Sequence, residues 1–225
     1  MKAKKVIVGV LLAALAAGVV FAVRVYTIRK AEDSSPAGSS DPKMRGSLAP
    51  RVTIVVYSDF QCPACQAAAV VEKEILTEYG KDIQIVFRHF PLQGHVWSPL
   101  AHHAAECAQS QGKFWEFHDK LYDTQAAWST PANPADRFVT FAEGLGMNRD
   151  RFAACLSDPE IAEKVTADKR RGDQLLVRFA PTYFVNGERV VGPVELKVKG
   201  VGIIRQVLGL PPLPSPPPPT AESES

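Results

Sequence analysis

The chain has 225 residues, of which 46% are hydrophobic and 22% are charged, and its formal net charge is +2. This length allows one domain of moderate size with appendages, or two small domains, and the composition allows a sizeable core. A nearly neutral chain without a basic stripe of interleaved aromatic residues argues against nucleic acid as a partner.

An uncharged apolar run from Val6 to Val23 follows three lysines at the amino terminus. As a helix, this run would span about 27 Å, close to the roughly 30 Å core of a bilayer. It is also longer than the apolar region of a typical signal peptide. We therefore expect residues 1–30 to form an uncleaved signal anchor with one transmembrane helix. A cleaved signal peptide and a soluble core helix are the alternatives.

Two further segments lack the pattern of a globular core. Residues 31–50 are dominated by Ser, Pro, Gly and Asp, which predicts a flexible linker. Residues 211–225 contain a proline run followed by AESES, which predicts a disordered, Pro-rich tail. We expect this tail to be solvated, and a docking site for a proline-binding module is the alternative.

The segments between the linker and the tail alternate between strand and helix patterns. Val52–Tyr57 and Ile83–Phe87 are apolar, β-branched runs typical of buried strands, and helix formers fill Cys62–Glu78 between them. This order predicts a parallel pair in an α/β sheet. Residues 94–177 have helical periodicity and no convincing strand, so we expect an all-helical insertion there.

Strand patterns return after the helical insertion. Thr182–Val185 and Arg189–Val191 flank Asn186-Gly187, a pair typical of a hairpin turn. We expect Gly192-Pro193 to break the chain and Gly200–Leu208 to form a closing helix.

Cys62-Pro63-Ala64-Cys65 places two sulfurs one helical turn apart, just after a predicted strand. Free backbone N–H groups and the helix dipole at this position favour a thiolate at Cys62, so we expect its pKa to be lowered. The thiolate is the attacking species in disulfide exchange, and Cys65 can resolve a mixed disulfide. Half of a zinc site and an inert structural pair are the alternatives, although no second ligand pair for zinc occurs in the sequence.

A second feature, Ala180-Pro181, opens the first strand of the late hairpin. An X–Pro bond at such a position is compatible with a cis peptide, and an ordinary trans proline on an edge strand is the alternative.

Four segments together resemble the DsbA-like family of thioredoxin-fold disulfide oxidoreductases, in the branch with an N-terminal membrane anchor. They are SDFQCPAC (Ser58–Cys65), FRHFPL (Phe87–Leu92), AAECAQSQGKFWEFHDKLY (Ala104–Tyr122) and APTYFVNGERVVG (Ala180–Gly192). The resemblance implies an α/β thioredoxin fold interrupted by an all-helical domain. We therefore expect residues 51–93 and 178–210 to form the thioredoxin domain and residues 94–177 to form the insertion.

The resemblance also implies roles for individual residues. Cys62 would be the nucleophile, Cys65 the resolving thiol and Pro181 the cis-proline, and the backbone of Ala180 would pair with the substrate chain. The residues expected to line or support the substrate groove are Pro63, Ala64, Ala180, Phe60 and His95. A structural disulfide between Cys107 and Cys155 is implied as well, with two free buried thiols as the alternative.

The implied activity is the oxidation of cysteines in exported proteins, with the Cys62–Cys65 disulfide as the redox group and no other cofactor or metal. A membrane partner of DsbB or VKOR type would reoxidise the pair. The catalytic domain would lie on the extracytoplasmic, periplasmic or cell-envelope side of the cell membrane, tethered by residues 6–23.

The sequence departs from the family at two positions near the cysteines. Val56 stands where many members have a buried Glu, and Ala64 stands where strongly oxidising members have His, so we expect a weaker oxidant. Asp59 and Glu72 are possible proton carriers, but we expect both to be solvated. A reductase or isomerase of the same fold, and a non-redox membrane-tethered chaperone or assembly factor, are the alternative functions.

Overall fold

The computed structural model describes residues 43–130 and 132–214, and these residues contain one five-stranded mixed sheet. The strand order is β1–β3–β2–β4–β5. β2 and β3 are parallel, and the other neighbouring strands are antiparallel. The strands are β1 (Met44–Gly46), β2 (Val52–Ser58), β3 (Ile83–His89), β4 (Thr182–Val185) and β5 (Glu188–Val191).

The helices fall into three groups along the chain. The first connects β2 to β3, the second lies between β3 and β4, and the third follows β5. The first group is α1 (Pro63–Tyr79) alone. The second is α2 (Ser98–Gln109), α3 (Phe114–Asp123), α4 (Gln125–Trp128), α5 (Ala135–Gly144), α6 (Arg149–Cys155) and α7 (Pro159–Gln174). The third is α8 (Gly192–Glu195), a π-helical turn (Leu196–Gly200) and α9 (Val201–Leu208).

The predicted α/β order with a helical insertion is confirmed, and the insertion shares one core with the sheet. Phe87 on β3 stacks on Phe60 with ring centroids 5.0 Å apart and contacts Phe114 of α3 at 5.4 Å. All three rings are buried. Because the insertion is packed against the sheet in this way, the described residues all belong to one compact unit.

The predicted linker 31–50 is wrong for its last part. Met44–Gly46 forms the edge strand β1 on β3, and the carbonyl of Lys43 accepts a hydrogen bond from Phe87 N–H at 2.9 Å. The Lys43 ammonium is buried between Glu106 and Asp168 at 2.6 and 2.9 Å. A three-residue strand is too short to show alternation in the sequence, so only its tertiary pairing reveals it.

The prediction that Gly192-Pro193 breaks the chain is wrong. These two residues begin the last helical region. Gly192 has a φ of +77°, which favours glycine, and Pro193 lies in the first turn of α8, where its missing N–H is tolerated. The predicted closing helix is confirmed at Val201–Leu208.

The disulfide between Cys107 and Cys155 is confirmed, with an S–S distance of 2.05 Å. It joins α2 to α6 within the insertion.

Within residues 43–130 and 132–214, no helix is long and apolar enough to cross a membrane. The predicted transmembrane segment 6–23, residues 31–42 of the predicted linker and residues 215–225 of the predicted tail lie outside the described residues. Residues 211–214 of the tail are exposed and have no regular secondary structure.

Candidate functional site

Cys62 occupies the N-cap position of α1, directly after the turn that follows β2. Its extended backbone, with φ −79° and ψ 124°, leads into Pro63 in the first helical turn. Because Pro63 lacks an N–H that would be unpaired there anyway, the sequence suits this helix start. Cys62 is 8% exposed, and Cys65, one turn further along, is 1% exposed. Both are free thiols.

The two thiols differ in acidity because they differ in surroundings. A hydrogen bond from the Cys65 thiol, with backbone N–H groups of Cys65 and Ala64, lowers the pKa of Cys62 from 9.0 to about 6, against the opposing effects of burial and of Asp59. Burial raises the pKa of Cys65 well above its usual value. At neutral pH the pair therefore combines a Cys62 thiolate with a neutral Cys65 thiol, the asymmetry that disulfide exchange requires.

The Ala180–Pro181 peptide bond is cis, as the resemblance implied. The carbonyl oxygen of Ala180 lies 3.5 Å from Cys62 Sγ and accepts a hydrogen bond from it when Cys62 is in its thiol form. Phe179, the preceding residue, is 68% exposed. The cis-proline loop thus places a backbone acceptor and an exposed aromatic ring next to the more acidic sulfur.

Cys65 faces polar groups that the sequence did not identify. The Asp59 N–H donates to Cys65 Sγ at 3.4 Å, and a hydrogen bond with Ser58 lowers the pKa of Cys65 against the larger effect of burial. The Ser58 hydroxyl lies 2.8 Å from the hydroxyl of Tyr122 on α3. Ser58 and Tyr122 are 64 residues apart in the chain, so no local sequence pattern could have paired them.

The expectation that Asp59 and Glu72 are solvated is wrong. Asp59 is fully buried, and its carboxyl group accepts hydrogen bonds from the loop that leads to α2. Glu72 on α1 is 3% exposed and accepts a hydrogen bond from the Tyr183 hydroxyl at 2.8 Å. Burial raises the pKa of Glu72. Asp59 is buried in the turn between β2 and α1, and Glu72 is buried on the face of α1 that meets Tyr183 of the sheet.

The residues predicted to support a groove divide into three groups. Pro63 and Ala64 are exposed at the start of α1, and Ala180 is half-buried beside Cys62. His95 is half-buried, and its Nδ1 lies 2.8 Å from Asp59 Oδ2. The prediction for Phe60 is wrong, because its ring lies entirely within the core against Phe87.

Three histidines, His89, His102 and His118, are buried in the core. His89 Nδ1 lies 2.7 Å from His102 Nδ1, and His89 Nε2 lies 2.7 Å from Glu106 Oε1. His118 is buried against Phe60 and Phe87. Burial lowers the pKa of all three imidazoles, so they are neutral core residues at neutral pH.

A family model described as Thioredoxin matches residues 39–198. Among curated proteins, the Na(+)/H(+) antiporter NhaA 3 of Salinispora tropica is 35% identical over 170 residues, which are 75% of this chain and 25% of the antiporter. The NhaA antiporter of Herminiimonas arsenicoxydans is 31% identical over 70% of this chain and 25% of its own length. The chain thus spans about a quarter of the length of these relatives.

Solved structures share the fold over most of the described chain. Oxidised BdbD from Bacillus subtilis matches with a TM-score of 0.65 and 20% identity, over 74% of this chain and 92% of BdbD. The thiol-disulfide exchange protein α-DsbA2 from Wolbachia pipientis matches with a TM-score of 0.61 and 19% identity, over 81% and 97%. DsbA2 from Pseudomonas aeruginosa matches with a TM-score of 0.56 and 25% identity, over 67% and 85%. The chain therefore belongs to the thioredoxin family, and it shares its fold with these solved structures.

Proposed function

We propose that this protein is a thiol–disulfide oxidoreductase that introduces disulfides into exported proteins through Cys62 and Cys65. The observation that carries the proposal is the pairing of an acidified thiol with a buried, weakly acidic one beside the cis-proline loop. A structural disulfide needs no such asymmetry, whereas exchange depends on it.

The proposed reaction begins with a disulfide between Cys62 and Cys65. A substrate thiolate attacks Cys62 Sγ, the Cys62–Cys65 bond breaks, and Cys65 leaves as a thiolate that takes up a proton. A second substrate thiolate then attacks the substrate sulfur of the mixed disulfide, and Cys62 leaves as a thiolate. The substrate loses two electrons and gains a disulfide, and the pair gains those electrons. The lowered pKa of Cys62 favours the second step, because a more acidic thiol leaves faster.

The cis-proline loop supports a role in holding the substrate chain. The carbonyl of Ala180 lies beside Cys62 Sγ, where a substrate backbone N–H could replace the thiol as its donor. Pairing through the backbone accepts many substrate sequences, as strand addition does. The exposed ring of Phe179 adds an apolar contact for unfolded segments.

Reoxidation and location belong to the same proposal. A membrane protein of DsbB or VKOR type, carrying its own disulfide, would accept the electrons from the reduced pair. The apolar run 6–23 would tether the domain on the extracytoplasmic side of the cell membrane. The Cys107–Cys155 disulfide fits an oxidising compartment, because such bonds are rare where thiols are kept reduced.

The test is catalysed oxidation of a reduced, unfolded protein by the full chain. We expect rapid disulfide formation with the natural chain and none above background with Cys62→Ser. A Cys65→Ala variant should accumulate a mixed disulfide at Cys62. If Cys62→Ser oxidises as well as the natural chain, the proposal is wrong. If the natural chain does not oxidise but suppresses aggregation equally with Cys62→Ser, the protein is a chaperone.

A reductase of the same fold is the second candidate, favoured by Ala64, which offers the Cys62 sulfur no side-chain donor. Equilibration with glutathione distinguishes the two functions. We expect a reduction potential well above that of thioredoxin, which is about −270 mV. A potential at or below that value would favour the reductase.

A further inference from the structure

Asp59 lies fully buried in the turn between β2 and α1, and it has no part in the exchange steps above. An aspartate is rarely buried completely, because removing a carboxylate from water costs several kcal/mol unless donors compensate it. The surroundings of this carboxyl group therefore bear on its function.

The Asp59 carboxyl group accepts three hydrogen bonds and lies against a histidine. Oδ1 accepts from Gln61 N–H at 2.8 Å and from the Ser98 hydroxyl at 2.6 Å. Oδ2 accepts from Leu92 N–H at 2.8 Å and lies 2.8 Å from His95 Nδ1. One donor on each oxygen is a peptide N–H, which cannot accept a proton in return. This donor set is the one that an ionised carboxylate requires, so the site is built to hold a negative charge.

The backbone of the same residue is joined to both cysteines. The Asp59 N–H donates to Cys65 Sγ at 3.4 Å, and the Asp59 carbonyl accepts from Cys62 N–H at 3.1 Å. The charge is therefore fixed relative to the sulfurs, and in a buried region water screens it weakly. The other titratable groups around it are Cys65 on α1, Tyr122 on α3, His102 on α2 and His95 in the loop before α2.

We propose that Asp59 is a positioning residue that sets the redox balance of the pair, because its fixed negative charge disfavours the Cys62 thiolate and so weakens the pair as an oxidant. The reduced form of an oxidant is stabilised chiefly through this thiolate. The proposal deepens the proposed function, on which its consequence for substrates rests, whereas the charge effect is a property of the cysteine pair itself.

The charge of Asp59 opposes the groups that favour the thiolate. The hydrogen bond from Cys65 and backbone N–H groups lower the pKa of Cys62, whereas burial and Asp59 raise it. Ala64 is exposed and contributes no side-chain donor. Removing the charge of Asp59 should therefore make the Cys62 thiolate more stable and leave the helix start intact.

The direct test is Asp59→Asn in the full chain, which keeps the side chain's size and one acceptor oxygen but removes the charge. We expect the titration midpoint of the Cys62 thiolate to fall, because the charge that opposes the thiolate is gone. We also expect the equilibrium with glutathione to move towards the reduced dithiol by about threefold. Thiolate absorbance and alkylation of the equilibrated thiols measure the two quantities.

Ser98→Ala is the matched control, because it removes one hydrogen bond to Asp59 and keeps the charge. We expect it to leave the Cys62 midpoint unchanged. An unchanged or raised midpoint in Asp59→Asn, or the same fall in Ser98→Ala, would overturn the proposal and leave Asp59 a purely structural residue. A lowered midpoint in a chain that oxidises no protein would instead sustain this proposal and remove the proposed function.

The natural chain offers a second test, in case Asp59→Asn does not fold. Interaction between two charges is reciprocal, so the carboxyl carbon resonance of isotope-labelled Asp59 should shift as Cys62 ionises. We expect this shift in the reduced protein and its loss in Cys62→Ser. A resonance that does not respond to ionisation of Cys62 would contradict the proposal.

Discussion

Two cysteines three positions apart differ in acidity. The hydrogen bond from the Cys65 thiol and the backbone N–H groups at the helix start lower the pKa of Cys62, whereas burial raises the pKa of Cys65. Cys62 meets the free N–H groups of α1, whereas Cys65 lies inside, against Ser58 and the backbone of Asp59. The sequence predicted that Cys62 and Cys65 lie one turn apart at a helix start, because that arrangement is local, and the resemblance implied the cis bond before Pro181. Ser58 and Asp59 were not assigned to the site, since their contacts come from α3 and the loop before α2.

The acidity of Cys62 gives the first prediction. In the reduced full chain, thiolate absorbance should rise with a midpoint at about pH 6, because the pKa of Cys62 is lowered to that value. Cys62→Ser should lack this step. A natural chain whose first step lies near the usual 9.0 would show that neither the Cys65 hydrogen bond nor the helix start stabilises the thiolate.

Phe179 gives the second prediction. Its ring is 68% exposed and precedes the cis-proline loop, so Phe179→Ser should weaken contact with unfolded protein substrates without altering either sulfur. We expect KM for a reduced protein to rise several-fold, since one aromatic contact contributes about 1 kcal/mol. The reaction with glutathione should stay unchanged. Equal slowing with both substrates would contradict a role in binding.

The sequence predicted the helices and strands that have a clear apolar pattern. It did not predict the short elements whose positions depend on contacts with other elements. β2, α1, β3 and the β4–β5 hairpin follow from apolar runs and from Asn186-Gly187, and each was confirmed. β1 and α4 have three and four residues, too few for a period, and their positions depend on the sheet and the insertion. The Cys107–Cys155 bond was implied by resemblance and depends on how α2 and α6 pack.

The α2–α6 disulfide gives a prediction at this scale. It closes a loop of 48 residues, for which the chain-entropy treatment gives about 4 kcal/mol as an upper value. Replacing both Cys107 and Cys155 by Ser should lower the free energy of unfolding by about 2 to 4 kcal/mol in urea titrations. Exchange of Cys62 and Cys65 with glutathione should persist in the folded variant. A loss below about 0.5 kcal/mol would mean that the bond does not stabilise the insertion.

Across the whole molecule, sheet and insertion meet in a core that holds neutral histidines among aromatic rings. His118 is fully enclosed, and burial lowers its pKa from 6.5 to about 4, against the hydrogen bond with Asp119. In the unfolded chain, His118 therefore binds a proton below about pH 6.5, whereas in the folded chain it binds one only below about pH 4. The contribution of neutral His118 to the free energy of unfolding is fully present above pH 6.5, and it is lost as the pH falls towards 4.

Acid sensitivity gives the whole-molecule prediction. Between pH 7 and pH 4, the free energy of unfolding should fall by about 3 kcal/mol from His118 alone. His89 and His102 act in the same direction, because burial lowers their pKa as well. In His118→Gln the decline over this range should be smaller by that amount. An equally steep decline in the variant would place the acid sensitivity elsewhere.

The most direct measurement of the central claim is a single transfer of a disulfide from the protein to a substrate. The oxidised full chain is mixed with an equimolar dithiol peptide. At successive times the free thiols of both are alkylated, and the masses of the products are measured by mass spectrometry. We expect the peptide to gain its disulfide while Cys62 and Cys65, and neither Cys107 nor Cys155, become alkylated. A peptide that stays reduced, or electrons that arrive at Cys107 and Cys155 instead, would contradict the account.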